Sequence, residues 1–316
     1  MKSQDNKSVI VPLQGGLGNQ LFQLAFAMAY SYPGNSYLEI DQSDQINYGK
    51  YELGLMNFIL PKNIFVIDFN SRNRIFYRLR NFLTRMSTYT ESNFRRILVF
   101  IGGILLKLEA PNITTRKTKI ITANGVGFDG TLISSKNEKP NYVIGYFQSY
   151  KWFSRPEVQS AFKKISLKDE SENVNLYAKF AITETPLIMH LRFGDYLDDK
   201  TFRVHTDYYN LALKYLKQEL EVKNIWIFSD DENRARKILE IDDDLQVRWI
   251  VGSSFLPHEV FEIMRFGTSY IISNSSFSYW AAQMSHASKP FVIAPAKWFE
   301  TRAEPVELCP KDWIRM

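Results

Sequence analysis

Short apolar runs alternate with amphipathic stretches through the second half of the chain. Runs at 187–191, 225–229, 247–251, 269–272 and 290–294 are too short for buried helices and are bounded by breakers, so they predict strands. Helical patterns lie between and after them, at 206–219, 232–240, 257–266 and 277–286. That alternation predicts a doubly wound parallel sheet, the α/β class. The first half has a looser version of the same rhythm. It predicts a strand at Val9–Leu13, a helix at Leu21–Tyr30, a strand at Tyr37–Ile40, two helices between 72 and 107, and strands at Thr118–Ala123 and Tyr142–Phe147. Residues 154–185 read as helical and charged and hold the expected domain boundary, giving domains 1–165 and 166–316. A chain of 316 residues has the length for two such domains.

Polar side chains crowd the ends of three of these strands. Pro186-Leu187-Ile188-Met189 runs into His190, Arg192, Gly194 and Asp195. Ile225 to Phe228 is followed by Ser229-Asp230-Asp231, and Tyr270 to Ile272 by Ser273-Asn274-Ser275-Ser276-Phe277. Carboxyl ends of parallel strands are where open α/β sheets bind ligands. A permanently charged, planar guanidinium such as Arg192 suits a bidentate grip on phosphate or carboxylate. An ion pair from Arg192 to Asp195 that only closes a loop is the plain alternative. Asp230 or Asp231 can accept from the amine of a base, and Ser275 and Ser276 stand where a helix start holds phosphate. Asp231 and Ser275 also suit simple N-caps.

In the first half, Gln14-Gly15-Gly16-Leu17-Gly18-Asn19-Gln20 joins the first strand to its helix. Gly16 and Gly18 match two glycines of a dinucleotide fingerprint, with Glu39 and Asp41 near the ribose-binding position. Leu21 stands where the third glycine belongs, which leaves an NAD-dependent oxidoreductase as an alternative reading.

Charge narrows the partners. The chain has 39 Lys plus Arg against 34 Asp plus Glu, a net +5, which points to anionic small ligands or a membrane surface and not to nucleic acid. The basic residues concentrate between 72 and 107, where Arg72, Arg74, Arg78, Arg80, Arg85, Arg95, Arg96 and Lys107 face the single acid Glu91. Aromatic residues interleave with them, and Ile97–Leu106 is the most apolar run, too short to span a bilayer. The stretch reads either as a surface helix packed on a buried one or as a basic amphipathic patch resting on an anionic bilayer. One cysteine, Cys309, excludes an internal disulfide framework, and the polar Met1–Ser8 lacks the apolar core of a secretory signal; both lead us to expect a cytoplasmic protein, with the basic patch suggesting the inner face of the membrane. No His/Cys/Asp spacing suggests a metal site.

Five segments together carry a resemblance: Gly15-Gly-Leu-Gly-Asn-Gln-Leu-Phe-Gln23, Gly145-Tyr-Phe-Gln-Ser149, His190-Leu-Arg-Phe-Gly-Asp-Tyr196, Phe228-Ser-Asp-Asp231 and Asn274-Ser-Ser-Phe-Ser-Tyr-Trp-Ala-Ala282. In order and spacing they resemble glycosyltransferase family 11, the α-1,2-fucosyltransferases. The resemblance implies a GT-B architecture, two Rossmann-like domains facing across a cleft, the C-terminal one binding most of GDP-fucose. It implies inverting, metal-independent transfer of L-fucose to the 2-hydroxyl of a galactoside, with no cofactor; the absent signal, the single cysteine and the basic patch suggest a surface polysaccharide or O-antigen as product, with an acceptor that can be lipid-linked. By the same resemblance Arg192 grips the donor pyrophosphate, His190 lies by the nucleotide, and Asp230 or Asp231 reads guanine. Asn274, Ser275, Ser276 and Phe277 then line the donor site, and Gly16, Gly18, Asn19 and Gln20 approach the donor diphosphate or the acceptor from the N-terminal domain. The family often has a second arginine where this chain has Phe193. Asp195 is the first choice of base, followed by Asp198, Asp199, His205 and Asp207.

Overall fold

The structure is a computed structural model and describes residues 8–40, 54–68, 74–89, 92–109, 118–134, 141–193, 205–251 and 255–316. The chain forms two compact units, Met1–Ser166 with Pro305–Cys309 and Leu167–Glu304 with Pro310–Met316. Each is a parallel sheet carrying helices.

The first unit has strands β1 (Val9–Pro12), β2 (Ser36–Ile40), β3 (Ile64–Asp68), β4 (Lys119–Thr122) and β5 (Asn141–Ile144), in the spatial order β3-β2-β1-β5-β4. Every pairing is parallel. The chain steps outward from β1 to β2 and β3, crosses to the far edge at β4 and returns inward to β5 beside β1. Helix α1 (Leu17–Ser31) starts four residues before the expected Leu21, with Gly16 as its cap and Gly18 in its first turn, and almost every residue of the helix is buried. Burial outweighs the low helix propensity of glycine here. Helices α2 (Arg74–Ser87) and α3 (Asn93–Glu109) cover the sheet through Phe76, Leu83 and Leu106, which meet Ile10, Tyr142 and Ile144.

Two features of this unit depart from the sequence pattern. Ile64–Asp68 is an edge strand outside the expectations above, although Ile64-Phe65-Val66-Ile67 is itself a short apolar run; its Phe65 and Val66 remain exposed. Residues 305–309, expected in the second domain, belong to the first. They are held by backbone bonds from Phe128 N–H to the Val306 carbonyl (2.9 Å) and from Tyr150 N–H to the Glu307 carbonyl (3.0 Å). A Cβ on Gly127 would lie 2.2 Å from the Val306 nitrogen, so this close approach requires glycine.

The second unit has strands β6 (Leu187–Leu191), β7 (Asn224–Ser229), β8 (Gln246–Val251), β9 (Ser269–Ile271), β10 (Phe291–Ala294) and β11 (Ile314–Arg315), in the order β8-β7-β6-β9-β10-β11, all parallel. This is the doubly wound order in which the fourth strand lies beside the first. The two-residue β11 lies outside the sequence expectation; it adds to the sheet by pairing Ile314 with Ile293. β6 is central and buried along its length, which is why it reads as a continuous apolar run. Helices α4 (Glu172–Glu184), α5 (Asp207–Glu219), α6 (Glu232–Ile238), α7 (Pro257–Arg265) and α8 (Ser276–Gln283) complete the unit. Leu187, Met189 and Leu191 pack with Tyr208, Leu213, Ile227 and Ile271 in one hydrophobic core.

Candidate functional site

In the second unit the switch point falls between β6 and β9, and three of the five sequence segments converge there and at the adjoining end of β7. Parallel pairing sets the partners. His190 lies opposite Phe228 and Leu191 opposite Ser229, so the next residues, Arg192 and Asp230, emerge side by side. Asp230 Oδ1 accepts the Phe193 N–H at 2.8 Å, and its Oδ2 lies 4.0 Å from Arg192 Nε. Both side chains are about one-third exposed, 29% and 32%, so this charged pair remains open to a ligand. Arg192 thus pairs with Asp230; Asp195, the partner and base proposed from sequence, lies outside the described residues, as do Gly194, Asp198 and Asp199.

Asp231 caps α6, with Oδ1 accepting the Arg234 N–H at 3.0 Å. α6 in turn carries a cation that sequence reasoning missed. The Arg234 guanidinium stacks on the Phe193 ring, 4.7 Å from its centroid. Sequence separation from Phe193 gives no sign of that proximity until β6 and β7 are paired.

Across the switch point, buried His190 places Nδ1 3.0 Å from the hydroxyl of Ser273. Burial, helped by the neighbouring Arg192 charge, lowers the His190 pKa to about 3. The imidazole is therefore neutral near pH 7 and contributes hydrogen bonds, not charge. Linkage gives this a stability consequence. The unfolded chain takes up a proton near pH 6.5 that the folded chain refuses until about pH 3, so stability falls as pH drops through that window. His190→Gln is expected to remove up to about 1.4 kcal/mol per pH unit of that acid slope, measured by urea unfolding between pH 7 and pH 4.

Ser275 caps α8, its hydroxyl accepting the Phe277 N–H at 3.4 Å, and Ser276 begins the helix. Asn274 is buried and donates to the Trp298 carbonyl at 3.0 Å. Phe277 lies 6.3 Å from His190, ring to ring. His205 is exposed just before α5, and Asp207 is in that helix's first turn.

The other two segments meet in the first unit, beyond the carboxyl ends of the adjacent strands β1 and β5. Gly15 has φ +71° and turns the chain from β1 towards α1. Gln23 ties the two segments together: its Oε1 accepts the Gln14 N–H at 3.0 Å and its Nε2 donates to the Gly145 carbonyl at 3.1 Å. Gln148 Nε2 donates to Asn19 Oδ1 at 2.9 Å. Gln20 is buried and braces the turn, donating to the Gly15 carbonyl and accepting from the Leu55 N–H. Phe147 takes φ +54°, held by the Phe26 ring stacked on it at 3.7 Å. Such non-glycine strain collects at functional sites. Gly16 caps α1 with no side chain in the way, and Gly18 sits inside the first turn.

Glu39 does not serve a ribose. It is buried, 2.8 Å from the Tyr142 hydroxyl that donates to it and 3.6 Å from Arg80. Asp41 lies outside the described residues. The fingerprint of a dinucleotide oxidoreductase is therefore incomplete in structure as well as in sequence. Among the described residues no group of three or more His, Cys, Asp or Glu is placed to hold a metal ion.

Two parallel-sheet units with polar residues at the carboxyl ends of their central strands define a protein of the α/β class. The profile of "Glycosyl transferase family 11" matches residues 8–315, nearly the whole chain, and the protein belongs to that family. It is similar to an Escherichia coli alpha-1,2-colitosyltransferase, 26% identical over 98% of both chains. It is also similar to the E. coli O-antigen biosynthesis glycosyltransferase WbnK, 24% identical over 96% of this chain and 99% of that one. Among solved structures, E. coli ADP-heptose LPS heptosyltransferase II aligns with TM-score 0.48 and 11% identity, over 98% of this chain and 90% of that one.

Proposed function

We propose that the protein transfers L-fucose from GDP-β-L-fucose to the 2-hydroxyl of a galactoside in a surface glycan such as an O-antigen, with inversion and without a metal. The observation that carries this reading is the exposed Arg192–Asp230 pair at the sheet's switch point, flanked by the His190–Ser273 bond. In the reaction the acceptor oxygen attacks the sugar's anomeric carbon, the bond to the diphosphate oxygen breaks, and GDP leaves with the electron pair. The acceptor's proton passes to a base. A fixed cation lowers the barrier by meeting the charge that develops on the leaving group. Arg192 supplies that cation, oriented by Asp230, and Arg234 on the Phe193 ring supplies a second where the family often has its arginine.

Asp231 spends Oδ1 on the helix cap, and we assign Oδ2 to the guanine N–H groups. Serine is an equally good cap but cannot present a carboxylate. Asp231→Ser is therefore expected to keep Tm while reducing the preference for GDP over ADP roughly tenfold to a hundredfold, read by calorimetric titration with each.

The similarity to a colitosyltransferase favours one second reading, a donor carrying colitose, the 3-deoxy analogue of fucose. Incubating the purified protein with a galactoside and GDP-fucose, GDP-colitose or UDP-galactose, with EDTA throughout, separates the two. Product mass identifies the sugar and NMR the linkage. A 2-linked fucosyl product in EDTA is the expected result. Transfer from GDP-colitose alone would replace the donor, and loss of all transfer on chelation would refute the metal-free mechanism.

A further inference from the structure

Helix α3 uses one face to cover the first unit's sheet and leaves the other bare. Arg95, Gly102, Gly103 and Leu106 are buried, with Gly102 close against Leu83 of α2. On the opposite face Phe94, Ile97, Phe100, Ile101, Ile104 and Leu108 are exposed, Phe94 by 72% and Leu108 by 70%. Their spacing of three and four residues makes one continuous stripe along a helix of 17 residues, about 25 Å long. An apolar stripe of this extent on a protein surface marks an interaction site. The helix is not long and apolar enough to cross a membrane, so the stripe can enter a bilayer only in its interface plane.

The surrounding charge selects the occupant. Arg96 is exposed on α3, and Arg78 and Arg85, seven residues apart, are exposed on one stripe of α2. Between Arg74 and Leu108 the sequence contains one acid, Glu91. The other cations are not all available: Arg80 is buried against Glu39, and Arg95 is buried on the Met86 and Ala123 carbonyls. A second copy docked symmetrically on this stripe would bring like charges together. An anionic lipid surface offers acyl chains for the stripe and phosphates for the arginines.

We infer that α3, flanked by the exposed arginines of α2, seats the protein on an anionic membrane surface, its apolar stripe entering the headgroup boundary. This inference stands apart from the choice of donor. The test is flotation of the full chain with vesicles of phosphatidylcholine alone and of phosphatidylcholine with phosphatidylglycerol in equal parts. Binding is expected on the anionic vesicles and is expected to weaken as salt rises. Arg78→Gln/Arg85→Gln/Arg96→Gln should bind those vesicles roughly a hundredfold more weakly. Phe100→Glu/Ile104→Glu, at exposed positions, should abolish binding with Tm unchanged. Absence of wild-type binding, or equal binding to neutral vesicles, would overturn the inference. So would lipid-free dimers in sedimentation that Phe100→Glu/Ile104→Glu dissociates, since the stripe would then belong to a second copy.

Discussion

Arg192→Ala is expected to lower kcat for sugar transfer by roughly two to three orders of magnitude while leaving Tm unchanged. The side chain lies beyond the end of β6 and is partly exposed, so its removal opens no cavity in the core. Asp230 remains exposed enough to be solvated without its partner. On the proposed mechanism the variant loses the cation that faces the departing diphosphate, a contact that would strengthen as the bond breaks and so act on kcat. Arg192→Lys keeps the charge but not the planar fork and should recover only a small part of the loss. Arg234→Ala should cost less, roughly tenfold, because its position depends on a ring contact at a partly exposed site. Initial rates against donor concentration, with thermal melts of each variant, check all three. An Arg192→Ala enzyme that keeps most of its turnover would refute the assignment.

Gly127→Ala is expected to destabilise the first unit by up to about 3 kcal/mol, the upper range for forcing an extra methyl into packed structure. The new Cβ would meet the Val306 nitrogen at 2.2 Å and its carbonyl oxygen at 2.6 Å, and neither backbone atom can swing aside as a side-chain tip would. Relief requires moving 305–309, which breaks the bond from Phe128 N–H and strains those from Tyr150 N–H and the Ser149 hydroxyl. Urea unfolding of Gly127→Ala against wild type measures the loss. Gly125→Ala is the control for steric crowding: a Cβ there meets nothing within 4 Å, although its φ of +86° carries a separate backbone cost.

The second unit is legible in sequence because its inner strands are buried on both faces. Leu187–Leu191 and Ile225–Phe228 therefore read as plain apolar runs between amphipathic helices. The edges are less legible. Ile64-Phe65-Val66-Ile67 is an apolar run that carries an edge strand outside the expected set, and Ile314–Arg315 is too short to show any period. The return of 305–309 to the first unit leaves one trace, Gly127, whose need for closeness emerges only when Val306 is beside it.

The same holds for the site. His190, Arg192, Asp230, Asp231 and Ser275 stand out in sequence as polar residues at strand ends, and the Arg192–Asp195 ion pair that spacing allows falls outside the described residues. Register adds Asp230, which spacing does not suggest, since pairing Leu191 with Ser229 aligns the next residue of each chain segment. Register also brings Arg234 over Phe193, supplying a guanidinium beside a position that lacks one in sequence. In the basic stretch, a count of arginines cannot separate Arg80 and Arg95, turned inward to satisfy a carboxylate and carbonyl oxygens, from Arg78, Arg85 and Arg96 on the surface.

Arg192 is proposed to hold the diphosphate of a guanosine donor without a metal. Calorimetric titration of the full chain with GDP, UDP and NAD in EDTA, repeated on Arg192→Ala, tests it most directly. GDP-selective binding that survives chelation and weakens at least roughly tenfold in the variant, the loss of a charge-assisted contact, is expected. GDP binding of equal strength in wild type and Arg192→Ala, or none in either, would contradict it.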